Sequence, residues 1–214
     1  MQARFPLRTL APLAAATLAA ISPAPAANVN WLGTADPNWS TGGNWSSGAM
    51  PTVGAADIAH FGASTPNNTI DLGSTRSIYR LRFTSSSAAY TFNNGTFNMT
   101  ALTDFIEVQS NVANPIIFNT NLSWGTSNTG AAGVTNNGNS YVQINNVTGK
   151  INNGINTLQL AGNSTHAQNV VQGTVSNGTG TNVLSVSKLG NGTWTLTGTS
   201  TYTGTTTISA GVLI

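Results

Sequence analysis

The chain has 214 residues, of which only 6% are charged; Gly numbers 23, and Cys is absent. Seven basic residues against five acids give too little positive charge for a nucleic-acid face, and the missing cysteines exclude a disulfide scaffold. Hydrophobic residues reach 39% and lie in short runs, which supplies a core and sets the chain apart from disordered sequences.

Met1 to Leu10 carries Arg4 and Arg8 without an acid, and Leu10 to Ile21 is an apolar stretch rich in Ala and Leu. That is the layout of a secretory signal. Ser22-Pro23 breaks the stretch, and Ala24-Pro25-Ala26 supplies a small-residue site, so cleavage is expected between Ala26 and Ala27. The run is too short for a permanent anchor, so no stable transmembrane segment is expected. Removing residues 1–26 leaves five basic residues (Arg76, Arg80, Arg82, Lys150, Lys188) against five acids (Asp36, Asp57, Asp71, Asp104, Glu107). The remaining 188 residues are formally neutral and long enough for one extended domain.

Residues 27–62 are Trp-rich and irregular, and no stretch after them has a sustained helical period. Short alternating runs predict strands at Ile78 to Phe83, Phe105 to Val108, Tyr141 to Ile144, Thr157 to Leu160, Val183 to Val186 and Thr193 to Thr197. Turns fall at Asn93-Asn94-Gly95, Asn136-Asn137-Gly138, Asn152-Asn153-Gly154, Asn177-Gly178 and Asn191-Gly192. Asn-Gly turns favour antiparallel hairpins, hence a β-sandwich as the alternative. Irregular strand spacing and the wealth of Asn, Thr and Ser favour coils stacked in parallel, because such side chains ladder well on their own kind. Low charge fits too, since a charge repeated in each coil would meet its own sign at about 4.8 Å. The expected fold is a right-handed parallel β-helix (β-solenoid) with an aromatic N-terminal cap. At about twenty residues per coil it would hold eight or nine coils, in a rod about 40 Å long. The sections are the signal peptide (1–26), the cap (27–62), the coils (63–182) and a sharper motif (183–214).

Few ionisable groups are available for catalysis. Asp104 and Glu107 are expected on opposite faces of one strand, wrong for a paired acid and base, and His60 and His166 lack metal-ligand spacing. No catalytic, metal or cofactor residue is assigned, although solenoid polysaccharide-degrading enzymes share this architecture. Trp31, Trp39 and Trp45 are expected to cap the first coil; contact with a surface polysaccharide through their rings is the second reading.

The last section reads Leu184-Ser-Val-Ser-Lys188-Leu-Gly190-Asn-Gly192-Thr193-Trp194-Thr-Leu196-Thr-Gly198, then Tyr202-Thr203-Gly204-Thr-Thr206-Thr-Ile208-Ser-Ala-Gly211-Val212-Leu213. It resembles the autotransporter-associated β-strand repeat, also called the passenger-associated transport repeat. The resemblance departs at Trp194, where Leu is usual, and at Ser200, where Asn is usual. Its glycines read as corners of one coil, with Trp194, Leu196, Ile208 and Val212 as core candidates and Tyr202 at a corner. A weaker resemblance, carried by Trp31, Asn38-Trp39-Ser40-Thr41, Asn44-Trp45-Ser46, Pro51 and Ala59-His60-Phe61-Gly62, is to the opening section of large secreted proteins with this repeat. These resemblances imply a non-catalytic structural or adhesive segment of an exported bacterial protein, extracellular or at the outer-membrane surface. Its implied partners are further coils or an outer-membrane translocator. The chain stops at Val212-Leu213-Ile214, within a strand, and is expected to be a fragment or truncated product that associates end to end.

Overall fold

The computed structural model describes residues 27–54, 56–62, 65–84, 89–101, 103–124, 130–149 and 155–214. Residues 1–26, and with them the expected signal segment and Ala26, lie outside the described residues, as does the turn expected at 152–154. In chain order the elements are β1 (Asn28–Asn30), a single 3-10 turn (Gly42–Asn44), β2 (Ile58–Phe61), β3 (Thr69–Asp71), β4 (Thr75–Ile78), β5 (Arg80–Phe83), β6 (Tyr90–Asn93), β7 (Thr96–Met99), β8 (Asp104–Val108) and β9 (Ile116–Phe118). They continue with β10 (Asn121–Trp124), β11 (Gly130–Asn136), β12 (Val142–Ile144), β13 (Val147–Thr148), β14 (Ile155–Ala161), β15 (Val170–Val171), β16 (Val175–Ser176), β17 (Val183–Lys188), β18 (Thr193–Leu196), β19 (Thr206–Ile208) and β20 (Val212–Leu213).

The strands form three sheets. The first runs β1-β2-β5-β8-β11-β14-β17-β19, the second β3-β6-β9-β12-β15-β18-β20, and the third β4-β7-β10-β13-β16. Every pair of these strands is parallel, and from β2 to β16 the chain visits the first, second and third sheets in turn. The fold is therefore a parallel β-solenoid of about six turns, and the antiparallel sandwich is set aside. Coils are longer and fewer than eight or nine: Ile58 pairs with Arg80, Leu81 with Ile106, Ile106 with Val134 and Leu158 with Val186, steps of 22 to 28 residues. Eight strands in the first sheet rise about 4.8 Å per step, or about 34 Å in all, shorter than the rod expected.

Inward positions come from strict alternation. β5, β7 and β10 bury every second side chain, and β12 does so with Val142 and Ile144. The cross-section changes along the axis. Phe61, Phe83, Tyr90, Phe92, Phe97 and Phe118 fill the early coils; Val134, Ile144, Val171, Val175 and Leu160 fill the later ones. Phe61 stacks on Phe83 with centroids 4.9 Å apart, and Phe92 on Phe118 at the same distance and 8° between planes. In-register parallel pairing puts identical residues at one axial step, where rings overlap face to face.

Amides ladder at the corners between the second and third sheets. Asn119 Nδ2 donates to Asn93 Oδ1 at 2.9 Å, and Asn146 Nδ2 to Asn121 Oδ1 at 2.8 Å. Asn146 Oδ1 in turn accepts the Thr174 N–H at 2.8 Å. Asparagine serves here as a neutral donor and acceptor that can be repeated coil after coil without charge repulsion.

Candidate functional site

Charge collects on the outer face of the first sheet. In register, His60 pairs with Arg82, Arg82 with Glu107 and Glu107 with Thr135. Arg82 Nε donates to Glu107 Oε2 at 2.8 Å, and Arg80 reaches the same oxygen at 3.7 Å. Asp104 joins them, contrary to the opposite faces expected from strand alternation. The register shifts at Gly133/Val134, so β8 carries a bulge in which Phe105 and Ile106 are both buried and Asp104 and Glu107 share the outer face. Asp104 Oδ1 accepts the Thr135 hydroxyl at 2.6 Å, and its carbonyl accepts Arg80 Nε at 3.0 Å. Both carboxylates are thus engaged, one in an ion pair and one with a hydroxyl. Among the described residues no three His, Cys, Asp or Glu side chains gather as metal ligands.

His60 closes the row. Its Nδ1 meets Asn30 Oδ1 and its Nε2 meets Thr84 Oγ1 at 2.9 Å, a pattern a neutral ring satisfies by donating at Nδ1 and accepting at Nε2. Burial and the adjacent Arg82 guanidinium hold its pKa below the ordinary 6.5. The unfolded chain then takes up the proton first, so stability falls as pH drops from about 6.5 through the lowered folded value. His60→Gln is expected to remove this part of the acid sensitivity. Urea midpoints of both proteins at pH 7 and pH 5 check it; an equal drop in the variant would assign the sensitivity elsewhere.

Trp31, Trp39 and Trp45 are 3%, 1% and 2% exposed. Trp45 lies edge-on to Trp31 at 5.0 Å and to Trp39 at 4.6 Å, and all three contact Phe61 of β2. Two of the indole N–H groups are bonded within the chain: Trp31 Nε1 donates to Asn67 O and Trp45 Nε1 to Trp39 O, each at 2.8 Å. Buried Asn44 holds the connecting loop, donating to the Asp36 and Asn38 carbonyls and accepting the Ala35 N–H. The Asn38 N–H on Asp36 keeps that carboxyl below its ordinary range. The three rings therefore pack on one another and on β2 at the start of the solenoid, each almost wholly buried. Ala27, the residue after the expected cleavage point, is tied in: its carbonyl accepts the Ile58 N–H at 2.8 Å.

The repeat residues form the last coil. β17 pairs with β14 from Ile155↔Val183 to Leu160↔Lys188, and β18 pairs with β15 and β20. Trp194 is buried, and Leu196 and Tyr202 pack partly against the core, with the Tyr202 hydroxyl 2.7 Å from Thr206 Oγ1. Thr193 opens β18 and Gly192, Gly198 and Gly204 stand at corners against the coil below. Thr203 clamps Asn177, receiving its Nδ2 at 2.8 Å and donating its own N–H to Oδ1 at 3.0 Å. Two core candidates are corrected: Ile208 is 54% and Val212 49% exposed. Among the described residues the last coil adds no strand to the third sheet, although the Thr201 N–H still bonds to Val175 O at 2.8 Å.

Lys188 is expected from sequence only as a motif residue, and it is fully buried. Its Nζ donates to the carbonyls of Leu189 and Gly190 at 2.7 Å each and of Ala210 at 3.3 Å, fastening β17 to the turn before β20. Gly190 (φ +68°) and Gly211 (φ +72°) make this cage possible. A Cβ at Gly211 would press on the Gly190 and Gly192 carbonyls and on the Lys188 ammonium itself. Burial pushes that ammonium below its ordinary pKa of 10.5, while the three carbonyls occupy its protons.

Among the described residues no helix is long and apolar enough to cross a membrane. No curated protein and no solved structure matches the chain. The family model of the passenger-associated-transport-repeat matches residues 186–214, the stretch that holds Lys188 and the last coil.

Proposed function

We propose that the chain is a non-catalytic structural or adhesive segment of an exported, autotransporter-like bacterial surface protein. In this reading residues 1–26 are its signal peptide, 27–62 its cap, 63–182 its coils and 183–214 its transport repeat. One observation carries it: the matched repeat continues the parallel register of the preceding coils, as a passenger rod requires. The partner such a rod serves is an outer-membrane translocator, and its location is the cell surface. The ion-paired Glu107 and hydroxyl-bonded Asp104 support a structural rather than a hydrolytic role for the charged face.

The test is expression of the full chain with its leader in a Gram-negative host, followed by N-terminal sequencing of protein recovered outside the cytoplasm. A start at Ala27 is expected; an intact Met1 on that protein would overturn the export reading. Release of sugars from a panel of polysaccharides by the purified chain would overturn the non-catalytic one.

A further inference from the structure

A shallow groove runs along the axis where the first sheet turns into the second. It crosses three coils, with Gln109 in one, Asn137 and Asn139 in the next, and Asn163, Thr165 and His166 in the third. Its floor is Gly138 and Ser164, both buried.

Beneath that floor lies an amide network that fixes its shape. Asn136 is 1% exposed and Asn169 0%. Asn136 Nδ2 donates to Asn169 Oδ1 at 2.8 Å and to Ser140 O at 3.0 Å, while its Oδ1 accepts the Gly138 N–H at 2.9 Å. Asn169 accepts the Val142 N–H at 3.0 Å and donates to Ser164 O at 3.2 Å. Burying two amides is tolerable only because they are so fully bonded, and the outcome is a rigid groove.

The walls combine donors and acceptors without formal charge. Asn137 Oδ1 accepts the Asn163 N–H at 3.1 Å and Asn163 Oδ1 accepts the Asn191 N–H at 3.4 Å, which fixes both amides with their NH2 groups turned from the backbone. His166 Nδ1 accepts the Gln168 N–H, so in the neutral ring Nε2 is the donor. The ring lies 5.0 Å from that of Tyr141, giving a partly apolar wall. Hydroxyl groups, which donate and accept at once, are the partners such a surface suits; a carboxylate or sulfate would find no Lys or Arg among these lining residues. The groove advances about 4.8 Å per coil, close to the advance of one sugar ring along an extended chain.

We propose that this groove binds a neutral polysaccharide strand laid along the solenoid axis. The inference deepens the adhesive side of the surface-protein reading, and its test on purified protein succeeds or fails independently of export.

The experiment is affinity electrophoresis of the full chain through native gels cast with mannan, dextran or xyloglucan, and through one cast with polygalacturonate. Retardation by at least one neutral polysaccharide is expected. Asn163→Asp keeps the oxygen that accepts the Asn191 N–H but removes the NH2 donor, and should weaken binding at least tenfold. Asn139→Ala with Thr165→Ala, both exposed and outside the buried network, should do the same without moving the thermal midpoint, and decides the matter if the first variant misfolds. Asn98→Asp, on the third sheet, should leave retardation unchanged. Absence of retardation in all neutral gels, retardation by polygalacturonate alone, or neutral binding that survives the Asn139/Thr165 changes would each overturn the proposal.

Discussion

Phe118→Ala is expected to lower global stability by about 3–5 kcal/mol, the usual range for emptying a fully buried ring site. Phe118 has no exposed surface, stacks on Phe92 at 4.9 Å and meets Phe83 and Phe97 edge-on at 6.4 and 6.1 Å. Its neighbours belong to strands already pinned on both sides, β6 between β3 and β9 and β7 between β4 and β10, so little collapse into the void is possible. The stack itself adds about 0.5–1.5 kcal/mol beyond burial. Ile117, one residue earlier, points outward and is half-buried, so Ile117→Ala should cost less than about 1.5 kcal/mol. Urea unfolding followed by circular dichroism compares the two. Equal losses would mean that the inward register of β9 is misread.

Lys188→Ala should act locally, on the last coil. Three backbone carbonyls lose their shared donor, and at about 1–3 kcal/mol for a buried group left unpaired the loss is on the order of 3 kcal/mol. Because coils contact only their neighbours, that loss should appear as fraying of β19 and β20 rather than as global unfolding. Hydrogen exchange at Ser209, Val212 and Ile214, whose N–H groups bond to Lys188, Gly192 and Trp194, should accelerate about a hundredfold while β5 to β13 stay protected. The lowered pKa adds a sign. On raising pH toward 10.5 the folded lysine loses its proton before the unfolded one, so the last coil of the parent protein should gain stability, and Lys188→Met should not follow. Unchanged exchange in Lys188→Ala would remove the ammonium from the account of this coil.

Much of this architecture was legible because period-two alternation survives in a solenoid as it does in any sheet. Strands at 104–108, 155–161 and 193–196 fall where the alternating runs predict them, and the abundance of Asn anticipates the corner ladders. Coil number was not legible, since segments such as 109–115 and 177–182 lengthen coils without any periodic mark. The bulge in β8 left a trace in sequence, two adjacent apolar residues between Asp104 and Glu107, but only the pairing with β11 reveals that it turns both carboxylates outward. Lys188 carried a clearer signal: it continues the inward phase of Leu184 and Val186, and a cation in that phase must be buried. Ile208 and Val212 mislead because hydrophobicity alone cannot say that β19 and β20 are the end strands of their sheets, paired on one side only. The polar groove could not be read at all, as its residues come together only through stacking of three coils.

The most direct test of the account is a cross-coil disulfide, clean in a chain without cysteine. Thr157 and Ser185 are register partners on the outer face of the first sheet, one in β14 and one in the repeat strand β17. At one axial step of about 4.8 Å, cysteines at both positions fall within bonding range, whereas a cysteine at Ser187, two residues further along, does not. Under mild oxidation Thr157→Cys/Ser185→Cys should close an intramolecular bond in nearly all molecules, and Thr157→Cys/Ser187→Cys should stay reduced. Bonding of the offset pair, or only intermolecular bonding of the in-register pair, would contradict a repeat stacked in parallel as the next coil of the solenoid.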